Sequence, residues 1–359
     1  MTKSKIKVLY DHQIFTVQKY GGISKYFSEL FRYLDVPYRK GYLISLNEYS
    51  PRFKVLTHLM VKGKRKILNV INRRYTRFLL KHSRYTHYHP TYYDVEGLKH
   101  NKGKLVVTVH DMIHELYPQY FDVSDQTKTQ KAIMVQKADA IIAISKNTKR
   151  DLLKRYDLDE SRIHVIYHAT SLEKVTVTKE ALNLPERYLL FVGSRRHYKN
   201  FTVVFEAFND LVKEDANLHL VCVGGGAFTE EEQALFNAHQ CVNRLSQHNV
   251  DETALAAYYQ QALAFIFPSL YEGFGIPILE AFTLDCPVLL SDTEVFKEVA
   301  EDACLYFDGQ DSDSLKAQLT SLIQQPKLRE SLIQKGQTRV KAFTWEKAVS
   351  QLENVYESL

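Results

Sequence analysis

Two doubly wound α/β domains are what this sequence predicts, on three observations. Short β-branched runs alternate with longer amphipathic segments, and they do so twice along the chain. At 359 residues the chain is longer than one hydrophobic core usually serves. The charge also changes sign near the middle. Residues 1–172 hold 31 Lys+Arg against 15 Asp+Glu, and residues 173–359 hold 16 against 27. A balance of +16 followed by one of −11 marks a boundary and gives the halves different electrostatic partners.

The elements follow in order. In the first half, 5–10, 104–111, 140–145 and 162–167 read as buried strands, with helices over 23–34 and 146–156. In the second half, 188–193, 218–224, 263–269 and 287–291 read as strands, with helices over 200–212, 251–262 and 312–323. Strands alternating with helices mean parallel sheets covered on both faces. Residues 171–187 have little apolar periodicity and read as the linker; no short repeat or low-complexity tract occurs. At the end, 343–356 is an amphipathic helix carrying the only tryptophan, Trp345. In such sheets ligands bind beyond the carboxyl ends of the strands, so the chemistry is expected in post-strand loops facing a cleft between the domains.

Composition excludes several classes. No stretch of about 18 apolar residues exists, so no membrane-spanning helix is expected. The start, "MTKSKIKVLY", lacks a small-residue cleavage site, and the four cysteines form no CxxC pair. Both features point to the cytoplasm and to reduced, core-filling thiols. The fourteen histidines show no metal-ligand spacing. "DSD" at 311–313 precedes a helix and reads as an N-cap with a dipole-matched first turn, not as a metal triplet.

The most informative stretch is "FPSLYEGFGIPILEAF" at 267–282. Pro277 suits the first position of a helix, where its missing N–H costs nothing. The preceding residues are then a strand-to-helix loop. Gly273 and Gly275 let the backbone turn sharply and approach a ligand. Free N–H groups at the loop and helix start can hold an anion such as a phosphate. Glu272 in the loop and Glu280 in the first helical turn can accept hydrogen bonds from neighbouring hydroxyls. Taken singly, Glu280 would only complement the helix dipole and Glu272 would be solvated. Together with the glycines they read as grips on the two ends of a nucleotide sugar, the diphosphate lying between.

This stretch resembles the signature of the family 4 retaining glycosyltransferases of the two-Rossmann-domain (GT-B) type. "GGISKYF" (21–27), "VVTVHDM" (106–112), "IIAISKNTKRDL" (141–152), "YLLFVGSRRHYKNF" (188–201) and "PVLLSDTEVFKEVAEDACLYF" (287–307) resemble the same family in the expected order. The resemblance implies two Rossmann-like domains with a deep cleft between them. Residues 1–172 plus the C-terminal helix 343–359 would form an acceptor-side domain, and 173–342 the donor-binding domain. The helix would cross back and make a hinge.

Site residues follow from the residues and the resemblance together. Glu280 would hold ribose hydroxyls. Glu272 and the N–H groups of Phe274 and Gly275 would hold the sugar, and the Ile276 N–H would help hold phosphate. "GSRRHYKN" (193–200) brings Arg195, Arg196 and Lys199 to a strand end, where fixed cations stabilise a departing diphosphate. The resemblance implies Lys199 as the clamp, and Arg195 is taken over Arg196 beside it. His110 at the end of a strand would donate to a sugar hydroxyl or stabilise charge near the reacting carbon. Gly21 and Gly22, opening the first helix, would approach the donor diphosphate or the acceptor. "VGGGAF" (223–228) reads as a turn beside the cleft, and backbone near 246–250 as a contact to the base.

The expected activity is metal-independent, retaining transfer of a hexose to a glycan or lipid-linked acceptor in bacterial polysaccharide or lipopolysaccharide assembly. It needs no cofactor beyond the nucleotide-sugar substrate, and GDP-mannose and UDP-hexoses both fit. A sugar phosphorylase, a nucleotide-sugar epimerase and a non-catalytic partner subunit remain alternatives on this fold. Residues 49–93 contain eleven Lys+Arg and no Asp or Glu, mixed with apolar positions at helical spacing. That face suits an anionic membrane surface on the inner side, or a lipid-diphosphate acceptor. No nucleic-acid-binding module is recognised, so nucleic acid is not an expected partner.

Overall fold

The computed structural model describes residues 5–51, 64–239 and 241–359. The chain forms two compact units: Met1–His168 with Trp345–Leu359, and Ala169–Thr344. The break after His168 falls a few residues before the linker that composition suggested at 171–187.

The first unit holds a parallel sheet of β1 (Val8–Tyr10), β2 (Tyr38–Lys40), β3 (His87–His89), β4 (Lys104–Val109), β5 (Ala140–Ala143) and β6 (Ile163–Val165). Their spatial order is β2-β1-β3-β4-β5-β6. Among its helices are α1 (Gly22–Tyr33), α2 (Lys64–His82), α3 (Thr127–Lys137) and α4 (Lys146–Arg155). The expected strands are present, each shorter than its apolar run. β2 and β3 were not expected, because "YRK" and "HYH" carry no β-branched signal. β3 is nevertheless buried throughout. Its His89 shares its ring nitrogens with the Tyr356 and Thr108 hydroxyls at 2.6 and 2.8 Å, which satisfies a polar ring inside the sheet.

The second unit is built likewise from β7 (Arg187–Val192), β8 (Leu218–Val223), β9 (Leu245–His248), β10 (Ala264–Phe267), β11 (Val288–Ser291) and β12 (Leu305–Phe307). Its order is β12-β11-β10-β7-β8-β9, all parallel. Helices α5 (Phe201–Leu211), α6 (Glu252–Gln261), α7 (Ile276–Thr283) and α8 (Ser312–Gln324) flank it. Leu189, Phe191, Leu220, Cys222 and Ile266 of the sheet pack with Phe201, Val204, Phe205 and Phe208 of α5. All four cysteines are free and buried, and burial pushes the Cys222 and Cys286 thiols up to about 12.

Strand order reverses between β7 and β10, and such a reversal opens a crevice at the carboxyl edge. The loops after these two strands are the ones carrying Lys199 and Glu272. The last helix, α9 (Trp345–Ser358), belongs to the first unit. Its Tyr356 hydroxyl meets that of Tyr10 at 2.7 Å, and Glu353 accepts from the backbone N–H groups of Asp35 and Val36.

Candidate active site

The loop after β7 begins at Gly193, with φ of +122°, and closes through the short turn His197–Lys199 into Asn200 in the left-handed region. The loop after β10 runs from Pro268 to Gly275. The two are sewn together. Leu270 N–H donates to the Tyr198 carbonyl at 2.8 Å, and Asn200 Nδ2 donates to the carbonyls of Pro268 and Gly309 at 3.3 and 2.6 Å. This stitching brings Lys199 Nζ to Glu272 Oε1 at 2.5 Å, across 73 residues of sequence. Both side chains stay partly open to solvent, at 22% and 16% exposure.

Gly275 is dictated by geometry. Its φ is +102°, and a Cβ there would meet the Ile278 side chain at 2.9 Å and the Phe296 ring at 3.2 Å. Gly275 caps α7, so the helix starts at Ile276 and Pro277 is its second residue, not its first. The expectation that Glu280 lies in the first turn is thereby corrected. Helix-dipole complementarity, which fades beyond the first turn, does not account for it. Glu280 is instead 6% exposed and accepts from the Tyr259 hydroxyl at 3.2 Å. Phe274 is buried edge-on against Phe343, and Ile276 is half-buried. Gly273 is buried within the loop.

Arg195 is not brought to Lys199 and Glu272 as expected. Its side chain turns inward. Nε and Nη2 bind Glu232 at 2.8 and 3.1 Å, and the Nη atoms donate to the carbonyls of Gly224, Gly226 and Ala227 at 3.0–3.2 Å. Its guanidinium also lies 4.7 Å from the Phe228 ring centroid. Gly224, Gly225 and Gly226 all have positive φ, so Arg195 braces a glycine turn that could not hold this shape with side chains. Its neighbour Arg196 is the exposed one.

In the first unit, His110 follows β4 and is 8% exposed. Its backbone N–H reaches the Tyr93 hydroxyl at 3.3 Å. Its ring lies parallel to that of His168, 5.9 Å between centroids, with Tyr26 edge-on to both. Nε2 makes no hydrogen bond among the described residues. Burial, aided by His89 and Lys131, pushes the imidazole down to about 3. His110 is therefore neutral, which fits the hydrogen-bonding half of its expected role and not a formal positive charge. Lys131, which the sequence reading missed, is fully buried beneath this turn. Its Nζ donates to the Asp111 carbonyl at 2.8 Å and to Glu115 at 2.9 Å.

Gly21 caps α1 with extended backbone, and a Cβ there would collide with the Gln18 side chain. Gly22 faces open space. Asp311 caps α8 by accepting from Asp313 N–H at 2.9 Å, as read for "DSD". Among the described residues no group of three or more His, Cys, Asp or Glu gathers in a way that could hold a metal ion.

Residues 20–174 match the model of glycosyltransferase family 4, and residues 174–339 that of glycosyl transferases group 1. The chain is 26% identical over 292 residues to the O-antigen chain mannosyltransferase B of Escherichia coli, covering 77% of this chain and 74% of that one. It is 29% identical over 221 residues to the O-antigen chain mannosyltransferase RfbU of Salmonella typhimurium, covering 61% of each. Among solved structures, sucrose-phosphate synthase from Thermosynechococcus elongatus superposes with a TM-score of 0.75 at 20% identity, covering 98% of both chains. Anabaena Alr3699/HepE in complex with UDP-glucose does so at 0.73 and 16%, covering 99% of this chain and all of that one. The two family models meet at residue 174 and together match residues 20–339, in both units: the chain belongs to family 4 of the glycosyltransferases, with two Rossmann-like domains of the GT-B type.

Proposed function

We propose that this glycosyltransferase transfers a hexose, with retention and without a metal, from a nucleotide-diphosphate donor to a hydroxyl of a glycan or lipid-linked acceptor in bacterial surface-polysaccharide assembly. The observation that carries the reading is the switch-point edge of the second unit. There a lysine–glutamate pair and a buried glutamate flank a glycine-capped helix start. Both of these relatives are named as O-antigen chain mannosyltransferases, which supports the polysaccharide setting.

In the proposed reaction the acceptor hydroxyl attacks the anomeric carbon on the face that the phosphate leaves. The bond from that carbon to the phosphate oxygen breaks, and a leaving-phosphate oxygen takes the hydroxyl proton. Lys199 stabilises the charge gathering on that phosphate. Glu280 holds the ribose hydroxyls, Glu272 and the loop N–H groups of Phe274 and Gly275 hold the sugar, and the Ile276 N–H helps hold phosphate. His110 offers a neutral hydrogen bond to a sugar hydroxyl, and Gly22, with Gly21 capping its helix, leaves room for the acceptor or diphosphate. We assign Arg195 to bracing the 224–227 turn. Glu272 as a nucleophile is the lesser alternative, because Lys199 neutralises its carboxylate.

A panel of GDP-mannose and UDP-hexoses tests the reading. One donor should raise the melting temperature and, with EDTA present, still transfer its sugar to an acceptor. Release of sugar 1-phosphate that depends on inorganic phosphate, or interconversion of the nucleotide sugar, would favour the phosphorylase or epimerase reading. No donor response at all would favour a partner subunit.

We also propose peripheral docking on anionic lipid at the inner membrane face through the basic segment. Residues 52–63 of it, including Lys62, lie outside the described residues, and no described helix is long and apolar enough to cross a membrane. α2 exposes Ile67, Val70 and Phe78 beside Arg65, Lys66, Arg74 and Lys81. Arg73 and Arg77 instead pair with Glu96. Each cation near such a surface adds about 1 kcal/mol. Co-sedimentation with phosphatidylserine-containing vesicles should be strong at low salt, fall as salt rises, and be lost when these four cations become glutamine. Absence of vesicle binding at low salt would contradict it.

A further inference from the structure

We propose that Tyr259 is a positioning residue for nucleotide recognition, orienting the Glu280 carboxylate from below. The inference rests on the reading of Glu280 as the ribose grip.

Glu280 lies on α7 and Tyr259 on α6, twenty-one residues earlier. The Tyr259 side chain is fully buried and its ring sits edge-on to Phe265 of β10, 5.2 Å between centroids. The ring is thus fixed by the sheet, and its hydroxyl has a set direction. It donates to Glu280 Oε2 at 3.2 Å. A glutamate has three rotatable bonds, and a residue as buried as Glu280 gains little orientation from water. A rigid phenol supplies what water does not: it holds one oxygen and so directs the other. Burial, reinforced by the nearby Glu280 charge, raises the Tyr259 hydroxyl well above the usual phenol range. It stays protonated, and toward an ionised carboxylate a phenol O–H can only donate. Two vicinal ribose hydroxyls need a carboxylate fixed in plane and angle, and preorganisation of that kind changes affinity without any contact between Tyr259 and ligand.

The test is a ligand-and-mutant cycle with GDP and UDP and their 2′-deoxy and 3′-deoxy forms, titrated into wild type, Tyr259→Phe, Glu280→Gln and the double variant. Tyr259→Phe keeps the ring and its contact with Phe265, and removes one oxygen. It should weaken binding of the ribonucleotide about three- to tenfold. Binding of the deoxy forms should fall less, so that the preference for ribose shrinks. In the Glu280→Gln background the same change should add little, because two residues that act as one unit are not additive. A purely structural role for Tyr259 would weaken ribose and deoxyribose ligands equally and add fully in the double variant, and either result overturns the inference. If Glu280→Gln itself leaves the ribose preference intact, the ribose reading of Glu280 fails and the inference falls with it. Loss of preference in Glu280→Gln but not in Tyr259→Phe overturns the inference alone.

Discussion

Replacing Lys199 by alanine should slow turnover by about a hundredfold or more while leaving the fold in place. The magnitude follows from removing one fixed group that stabilises charge appearing only in the transition state. The fold should survive because the Lys199–Glu272 pair is partly exposed, and such pairs contribute only about 0–1 kcal/mol to stability. In the proposed reaction two effects should add in the variant: the leaving diphosphate would lose its cation, and the Glu272 carboxylate, without its Lys199 partner, would face an incoming anion. The loss should appear in the single-turnover rate with saturating donor as well as in kcat/KM. A variant with wild-type turnover would remove Lys199 from the chemistry.

Replacing Glu280 by alanine should weaken nucleotide binding by about tenfold or more. Hydrogen bonds to a charged acceptor contribute roughly 1.5–3 kcal/mol each, and about 1.4 kcal/mol is already a factor of ten. The same change leaves the buried Tyr259 hydroxyl without its Glu280 acceptor, at about 1–3 kcal/mol of stability. The variant should therefore melt earlier, and its affinity belongs to a temperature where it is fully folded. Glu280→Gln, whose amide oxygen can still accept from Tyr259, separates the two effects: stability largely returns and ribose affinity does not.

Much of this arrangement is legible in the residues. Gly-Phe-Gly-Ile-Pro announces a turn and a helix start, and the order of the strands then sets Lys199 and Glu272 on neighbouring loops. What is not legible has physical causes. β2, β3 and β9 are short and polar, and they exist because neighbouring strands supply their ladders. Of two adjacent arginines, the sequence does not show which turns inward; Glu232 and the carbonyls of 224–227 select Arg195. Pro277 marks a helix start within one residue, but the left-handed cap at Gly275 decides the register. Lys131 looks like one more cation of a basic half, and only the fold shows it sealed against Glu115. Tyr259 lies in a run of small and aromatic residues whose packing hides its hydroxyl's task.

The carboxyl edge of the second unit is proposed to bind a nucleoside diphosphate through Glu280. Calorimetric titration of GDP and of UDP into wild type and Glu280→Ala, below both melting temperatures, tests it most directly. The expected result is saturable one-to-one binding of one of these nucleotides to the wild type, weakened at least tenfold in the variant. Equal affinity in the two proteins, or no binding of either nucleotide to the wild type, would contradict it.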